Sequence, residues 1–364
     1  MVSEDRIKRR QNQHFVPRYF FRLFSLEKKA ICALLKSTGR IIESTSIDKQ
    51  CAKNNFYGSH EVEHALQLLD GNHCNSIRSL IAAAWGGPAL KDRSISDLLE
   101  FIAVQNARTE FEAEFESTQS EHFAEICFRH FVEHNTDAIF REQAIVAMDA
   151  GQVHFKKDRA AAAVLNVKTA LDLAFLLSDL SISVLCNQTD YPFIFGDSPV
   201  IFYNQWARNV SNRGVIGYQS PGLQIFAPID SYTLVYLFDP SKYSGKCTDG
   251  KIVNLVDRSD ISQLNAMQLH QSLNNVYFGD PADASYVSKL WDTHSKSLRP
   301  HVFGVEKASH LIADGKLIED GFIMRRLLNR HPLSLTFSHC TPISESDYKF
   351  IPRTPELHAR ARAK

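Results

Sequence analysis

The sequence predicts an α+β fold: a mostly antiparallel sheet combining an N-terminal hairpin with central strands, a large helical insertion and C-terminal helices. Three observations predict it. ICALLKSTGRII, residues 31 to 42, sets apolar runs on either side of a turn at Thr38-Gly39, which is hairpin spacing. From His60 to Ala150 the apolar residues recur about every 3.6 positions, as in VEHALQLL, SIRSLIAAAW and ISDLLEFIAVQNA, which is the period of one helix face. Between residues 182 and 239 the runs ISVLCN, FIFGD, PVIFYN, LQIFAPI and TLVYLFD are short, aromatic and β-branched, and Pro, Gly and Asn separate them.

The elements follow in order. Residues 1–13 are polar, with Arg6, Lys8, Arg9 and Arg10 close together and nothing to bury, and they read as a disordered basic arm. HFVPRYFFRLF then supplies Pro17 to open a helical turn and Phe20, Phe21 and Phe24 to pin it to a core. Ser94 followed by Asp97 has the spacing of a capping box at the head of one helix in the 60–150 block. A further helix is expected near residues 159 to 177, and SQLNAMQLHQSLNNV and SYVSKLWDTHSKSL return to helical spacing after Ser259. The first hairpin is expected to join the later strands across the helical block in one sheet. Residues 14–350 thus form a single domain with an insertion over about 60–180, and the basic tail 351–364 lacks apolar periodicity and is expected to fray.

Composition excludes several functional classes. Lys plus Arg and Asp plus Glu are balanced at 41 each in 364 residues, so no global field draws the molecule to nucleic acid or anionic lipid, and a local patch must do so. The seven cysteines are odd in number, scattered and without a C-x-x-C pair, which argues for reduced thiols over a disulfide framework or a thiolate zinc site. Charge fills the opening where a signal peptide needs an apolar stretch, and no uninterrupted apolar run approaches about 18 residues, so a cytoplasmic protein with no membrane partner is expected. The P-loop, the dinucleotide G-x-G-x-x-G, the G-x-S-x-G elbow and the kinase motifs are all missing from the sequence.

Three residues carry the chemistry that remains. His14 stands where a basic stretch meets an aromatic one, a boundary at which an imidazole is half-buried and titrates near neutral pH. Arg108 follows Phe101 by seven positions and Val104 by four, on the apolar face of its helix, so it needs an internal carboxylate, with Asp197 a candidate, or a phosphate or carboxylate ligand. Asp197 ends the FIF run, where a carboxylate orients a histidine, holds a metal or accepts from turn amides. HEVEH, from His60 to His64, matches the zinc-hydrolase pattern H-E-x-x-H. Against it, the charged Glu63 occupies an interior position, His60 falls at the helix start, and Gln67 and Asp70 replace the metzincin continuation, so the solvated start of an acidic helix is the better reading. Arg6, Lys8, Arg9 and Arg10, with Arg18 and Arg22 beyond, would suit a phosphate backbone and the interleaved Tyr19, Phe20 and Phe21 stacked bases, although a solvated basic tail followed by a core-packed aromatic segment is the better reading.

The run QNQHFVPRYFFRLFS resembles the signature of an uncharacterised bacterial family, domain of unknown function 4238, whose members begin with a Q-H-[FY]-V-P-like segment. Further similarity lies in the NNFYG run through Asn55 to Gly58, an acidic helix at Glu63, the NART of Asn106 to Thr109, and the GDSPV of Gly196 to Val200, where the family often has Ser or Thr in place of Gly196. The resemblance runs from residue 11 to about residue 280. It implies that His14, Arg108 and Asp197 share a site supported by Gln13, Glu63, Asn106 and Ser198, and it leaves the chemistry open. The expectation is a nuclease-like hydrolase acting on a phosphodiester or nucleotide: His14 serves as acid/base, Arg108 steadies developing charge, and Asp197 orients the histidine or holds a divalent metal. The alternatives are a non-enzymatic module that binds a small anionic ligand or nucleotide, and a purely structural polar network.

Overall fold

The computed structural model describes residues 12–88, 92–210, 214–298, 303–308, 311–313, 316–318, 321–326, 333–337, 339–345 and 348–363. The chain opens with β1 (Asn12–His14) and α1 (Arg18–Phe24), then the hairpin β2 (Ala30–Leu35) and β3 (Arg40–Ser46), a 3-10 turn at Ile47–Lys49 and β4 (Ala52–Asn54). Gly39 closes the hairpin with φ of +72°, and a Cβ there would lie 2.2 Å from the Trp291 indole, so both the turn and the packing demand glycine. The basic arm expected over residues 1–13 falls outside the described residues except for its last two.

The helical insertion consists of α2 (His60–Ala84), α3 (Asp92–Ala107), α4 (Glu110–Asn135), α5 (Ala138–Asp149) and α6 (Arg159–Leu173), which a 3-10 turn extends to Leu177. Ser59 caps α2 by accepting from the Val62 amide at 3.2 Å, and Thr109, the last residue of NART, caps α4 by accepting from Glu112. The expected capping box fails. Helix α3 begins at Asp92, so Ser94 lies inside it, and Asp97 instead accepts from Ser76 of α2 at 2.8 Å, a tertiary bond that outcompetes the local one. By length and composition alone Arg159–Leu177 could cross a membrane. In the fold its small residues Ala162, Ala163, Val167 and Ala170 are buried, and α6 packs on α3 and α4.

Next come β5 (Ser181–Asn187), β6 (Phe195–Gly196), β7 (Ile201–Tyr203), β8 (Gln224–Pro228), β9 (Thr233–Phe238), β10 (Tyr243–Gly245), β11 (Lys251–Leu255), α7 (Arg258–Gln271), β12 (Asn275–Phe278) and α8 (Ala284–His294). Beyond them lie β13 (Phe303–Ala308), β14 (Leu311–Ala313), β15 (Lys316–Ile318), β16 (Gly321–Arg326), β17 (Cys340–Pro342) and α9 (Pro355–Arg362). The hairpin does join later strands across the helical block, in the antiparallel order β3-β2-β12-β6. The longer central strands form a sheet of their own, β11-β5-β9-β8-β7, antiparallel except for the β11–β5 pair. The expected single sheet is therefore two.

A shared core explains the division. Ile31, Ala33 and Tyr277 of the four-stranded sheet and Val184, Ile225, Val235 and Leu237 of the five-stranded one face the same cluster, which also holds Phe20, Phe21, Phe101 and Ile102. The opposite faces meet α7: Leu264 and Met267 pack with Leu234, Tyr236 and Phe238, while Ala266 and Leu269 pack with Leu34, Val276 and Phe278. All six residues of β9 are buried, as a strand covered on both faces requires. The tail does not fray. Buried Arg353 pairs with Asp179 at 2.6 Å and donates to the carbonyls of Tyr218 and Ser220, so a polar anchor fixes α9 where no apolar stripe could predict it.

Candidate functional site

The QH, FYG and NART segments meet at Arg108. Pairing of β1 with β4 places Gln13 opposite Lys53, with the Gln13 side chain buried. There it accepts from the Tyr57 amide at 2.6 Å and donates to the Ser59 carbonyl at 3.0 Å, which ties the N-terminal strand to the head of α2. Arg108, at the end of α3 and 2% exposed, donates from Nη1 to Asp70 Oδ1 at 2.6 Å, from Nη2 to the His14 carbonyl at 2.9 Å and from Nε to Tyr57 Oη at 3.3 Å. Burial alone would lower its pKa, but the Asp70 carboxylate and Tyr57 more than offset this and hold it above the ordinary value. The expected internal salt bridge of Arg108 exists, with Asp70 as its partner.

Beside this network a cavity of about 640 Å³ runs between α1 and α2. Asn12, His14, Arg18, Tyr19, Arg22 and Asp48 line one side, and His60, Glu63, His64, Gln67, Asp70, Cys74 and Arg78 line the other, with Arg108 at the floor. Three buried polar atoms on its wall have no hydrogen-bond partner among the described residues: His14 Nε2, Tyr19 Oη and Glu63 Oε2. Orphaned groups of this kind are costly in a native fold, and water or a ligand at the cavity wall is what completes them. Burial first, and the Arg18 guanidinium second, push His14 down to about 4, so its imidazole is neutral at neutral pH. Burial pushes the Glu63 carboxyl up, while a 3.3 Å hydrogen bond from Gln67 to Oε1 opposes it.

The predicted residues divide. His14, Glu63 and Arg108 come together, whereas Asp197 does not join them. Its carboxylate accepts from the amides of Leu273, Asn274 and Asn275 at 2.7, 2.6 and 3.1 Å, so it serves neither a local Asx-turn nor His14 but the distant chain that follows α7. Burial pushes this carboxyl up, and the three amides with the Lys36 ammonium pull against it. Ser198 is buried beside it with no partner for Oγ among the described residues, and it is not a lining residue of the cavity. Asn106 lines a different cavity, of about 400 Å³, with Glu112, Asn166 and Tyr218, because residues two apart on a helix point to different sides. Arg108 was expected to steady developing charge; three of its five donors are committed within the protein, where they hold Asp70, Tyr57 and the His14 main chain.

His60 is the first residue of α2, and with His64 it lines the cavity. Glu61, which a zincin uses as base, is absent from the lining, and among the described residues no three His, Cys, Asp or Glu side chains converge as metal ligands. The expected balance between stacking and core is also resolved: Phe20 and Phe21 are fully buried, while Arg18, Tyr19 and Arg22 face the cavity. Sequence reasoning missed Asp70, Cys74 and Arg78. A signal was present, since Glu63, Gln67, Asp70, Cys74 and Arg78 recur at intervals of three and four, a polar stripe on one helix face.

The family described as Protein of unknown function (DUF4238) matches residues 12–282. No curated protein and no solved structure matches the chain.

Proposed function

The chain belongs to the DUF4238 family, so its activity must be argued from its own site, and we propose that it hydrolyses a phosphodiester or nucleotide by general acid–base chemistry. The observation that carries this reading is the convergence of His14 Nε2, Glu63 Oε2 and Tyr19 Oη, buried and unpartnered among the described residues, on one arginine-lined cavity. Water attacks phosphorus as neutral His14 takes its proton at Nε2. Glu63, whose raised pKa widens the pH range over which it keeps its proton, gives it from Oε2 to the departing oxygen. Tyr19, pushed well above its ordinary pKa by burial, keeps its hydroxyl proton and donates to a phosphoryl oxygen. Arg18 helps to hold the phosphate: its 3.2 Å pairing with Asp48 is exposed and weak, so a ligand can recruit it.

Purified protein incubated with RNA, DNA and nucleotides is expected to release product. His14→Ala and the isosteric Glu63→Gln should each slow turnover by about 100-fold or more. The wild-type kcat/KM should fall as pH drops through the His14 pKa of about 4, and fall again as pH rises through the raised Glu63 pKa. A turnover rate that His14→Ala leaves at the wild-type level rules the mechanism out. Saturable binding of a nucleotide without turnover would replace it with a binding role for the same cavity.

A further inference from the structure

The cavity is elongated, and its groups are sorted along its length. Helix α2 lines it from His60 to Arg78. Glu63 and Arg78 are fifteen residues apart, about 22 Å along the helix axis at 1.5 Å per residue. Helix α1 runs beside it in the same sense: Arg18 acts electrostatically on Glu63, and Arg22 acts on Cys74, eleven positions further along α2. Lined by α2 over that length, the cavity is a slot and not a bowl.

Charge is sorted too. At the His14 end the cations are matched, Arg18 by Asp48 and Arg108 by Asp70. Further along, Arg22 stands one helical turn past Arg18 and Arg78 fifteen residues past Glu63; both face the slot, both are exposed, and neither has a salt-bridge partner among the described residues. Guanidiniums spaced out beyond the acid–base pair do little for a mononucleotide at His14, but they suit successive backbone phosphates of a strand. The exposed rings of His60 and His64 at the other end offer faces on which bases can stack.

We propose that the slot between α1 and α2 binds a single-stranded nucleic acid, with Arg22 gripping a phosphate about two nucleotides, and Arg78 one about six nucleotides, from the bond set against His14 and Glu63. The length follows from about 3.4 Å of rise per stacked nucleotide over the 22 Å slot, and a stretched strand needs fewer. This deepens the hydrolase reading of the same cavity and rests on it for the scissile bond only, since the grip is a binding property in its own right.

The test uses the full chain with labelled single strands of two, four, six, eight and ten nucleotides, in RNA and DNA series, measuring both affinity and cleavage. Affinity is expected to rise at least tenfold from two to six nucleotides and then level off, with a duplex of ten pairs binding more weakly than the single strand. Arg22→Ala should remove most of the gain between two and four nucleotides and Arg78→Ala most of that between four and six, and each should flatten the dependence of log affinity on log salt by about 0.7, the value for one single-strand phosphate contact. Both side chains are exposed, and an unchanged melting temperature for each variant would show that any loss is one of binding. Equal affinity for two and six nucleotides, with His14-dependent cleavage intact, overturns the slot and leaves the hydrolase standing. Length-dependent binding that both arginine variants abolish, without cleavage, upholds the slot and removes the hydrolase. No binding at any length overturns the slot.

Discussion

At His14 the main chain and the side chain have separate duties. The carbonyl accepts from Arg108 and Tyr57, which fixes the residue, while Nε2 is buried without a partner among the described residues. His73, two turns along α2 from His64, shows what burial does to an imidazole without a cavity to serve. It is 1% exposed, stands edge-on to Phe101 at 5.8 Å and lies 3.3 Å from Glu100, and burial followed by the Arg108 charge pushes it from 6.5 down to about 4. The unfolded chain therefore binds a proton here between pH 6.5 and 4 that the folded chain refuses, so stability present above about pH 6.5 is lost as pH falls towards 4. At about 1.4 kcal/mol per pKa unit the loss is on the order of 3 kcal/mol. His73→Gln cannot titrate, so urea unfolding should show the wild-type advantage over it shrinking by roughly that amount between neutral pH and about pH 4. A difference that stays constant with pH would count against the neutral, buried imidazole.

Elements dock through single residues whose role is steric as often as polar. The short strand β6 enters the four-stranded sheet with Gly196 pressed against the end of α7, where an added Cβ would lie 1.8 Å from Ser272 Oγ and 3.4 Å from the Gln268 carbonyl oxygen. Gln268 accepts from the Gly196 amide at 3.1 Å and donates to the Pro199 carbonyl at 2.8 Å, while Asp197 gathers the three amides that follow α7. GDSPV is thus a dock for the C-terminus of a helix. Gly196→Ala should destabilise the fold by about 1 to 3 kcal/mol through overpacking, and adding Ser272→Ala should recover part of that in a double-mutant cycle of urea midpoints. A Gly196→Ala protein as stable as wild type would mean that the contact yields freely.

The whole molecule is organised by α7, which lies between two sheets and is buried along nearly its whole length, including Asp260, Asn265 and Gln268. A helix covered on all sides carries little amphipathic signal. That is why SQLNAMQLHQSLNNV reads as helix to its end, although Asn275–Phe278 leaves it and becomes β12, the strand linking the hairpin to β6. The C-terminus is closed by Arg353, which buries its charge against Asp179. Arg353→Ala leaves that carboxylate without its cation, so it should cost about 3 kcal/mol and speed hydrogen exchange of the amides in Pro355–Arg362. Unaltered exchange there would show that α9 is held by other contacts.

The sequence by itself determined what depends on near neighbours. The 3.6-residue period marked the helical insertion, the Thr38-Gly39 turn marked the hairpin, and paired apolar and aromatic runs marked β5, β8 and β9, because local sterics and one-sided burial leave a periodic trace. It also picked out His14, Glu63 and Arg108 for one polar site, from an imidazole at a boundary, a resemblance and a charge on an apolar face. Only the tertiary structure decided which sheet each strand enters, that Asp197 serves a helix end 76 residues away, and that Asp70 and not Asp197 neutralises Arg108. A buried charge obliges a partner without specifying where along the chain it lies, and α1 beside α2 turns a polar stripe into a cavity only once the two helices pack.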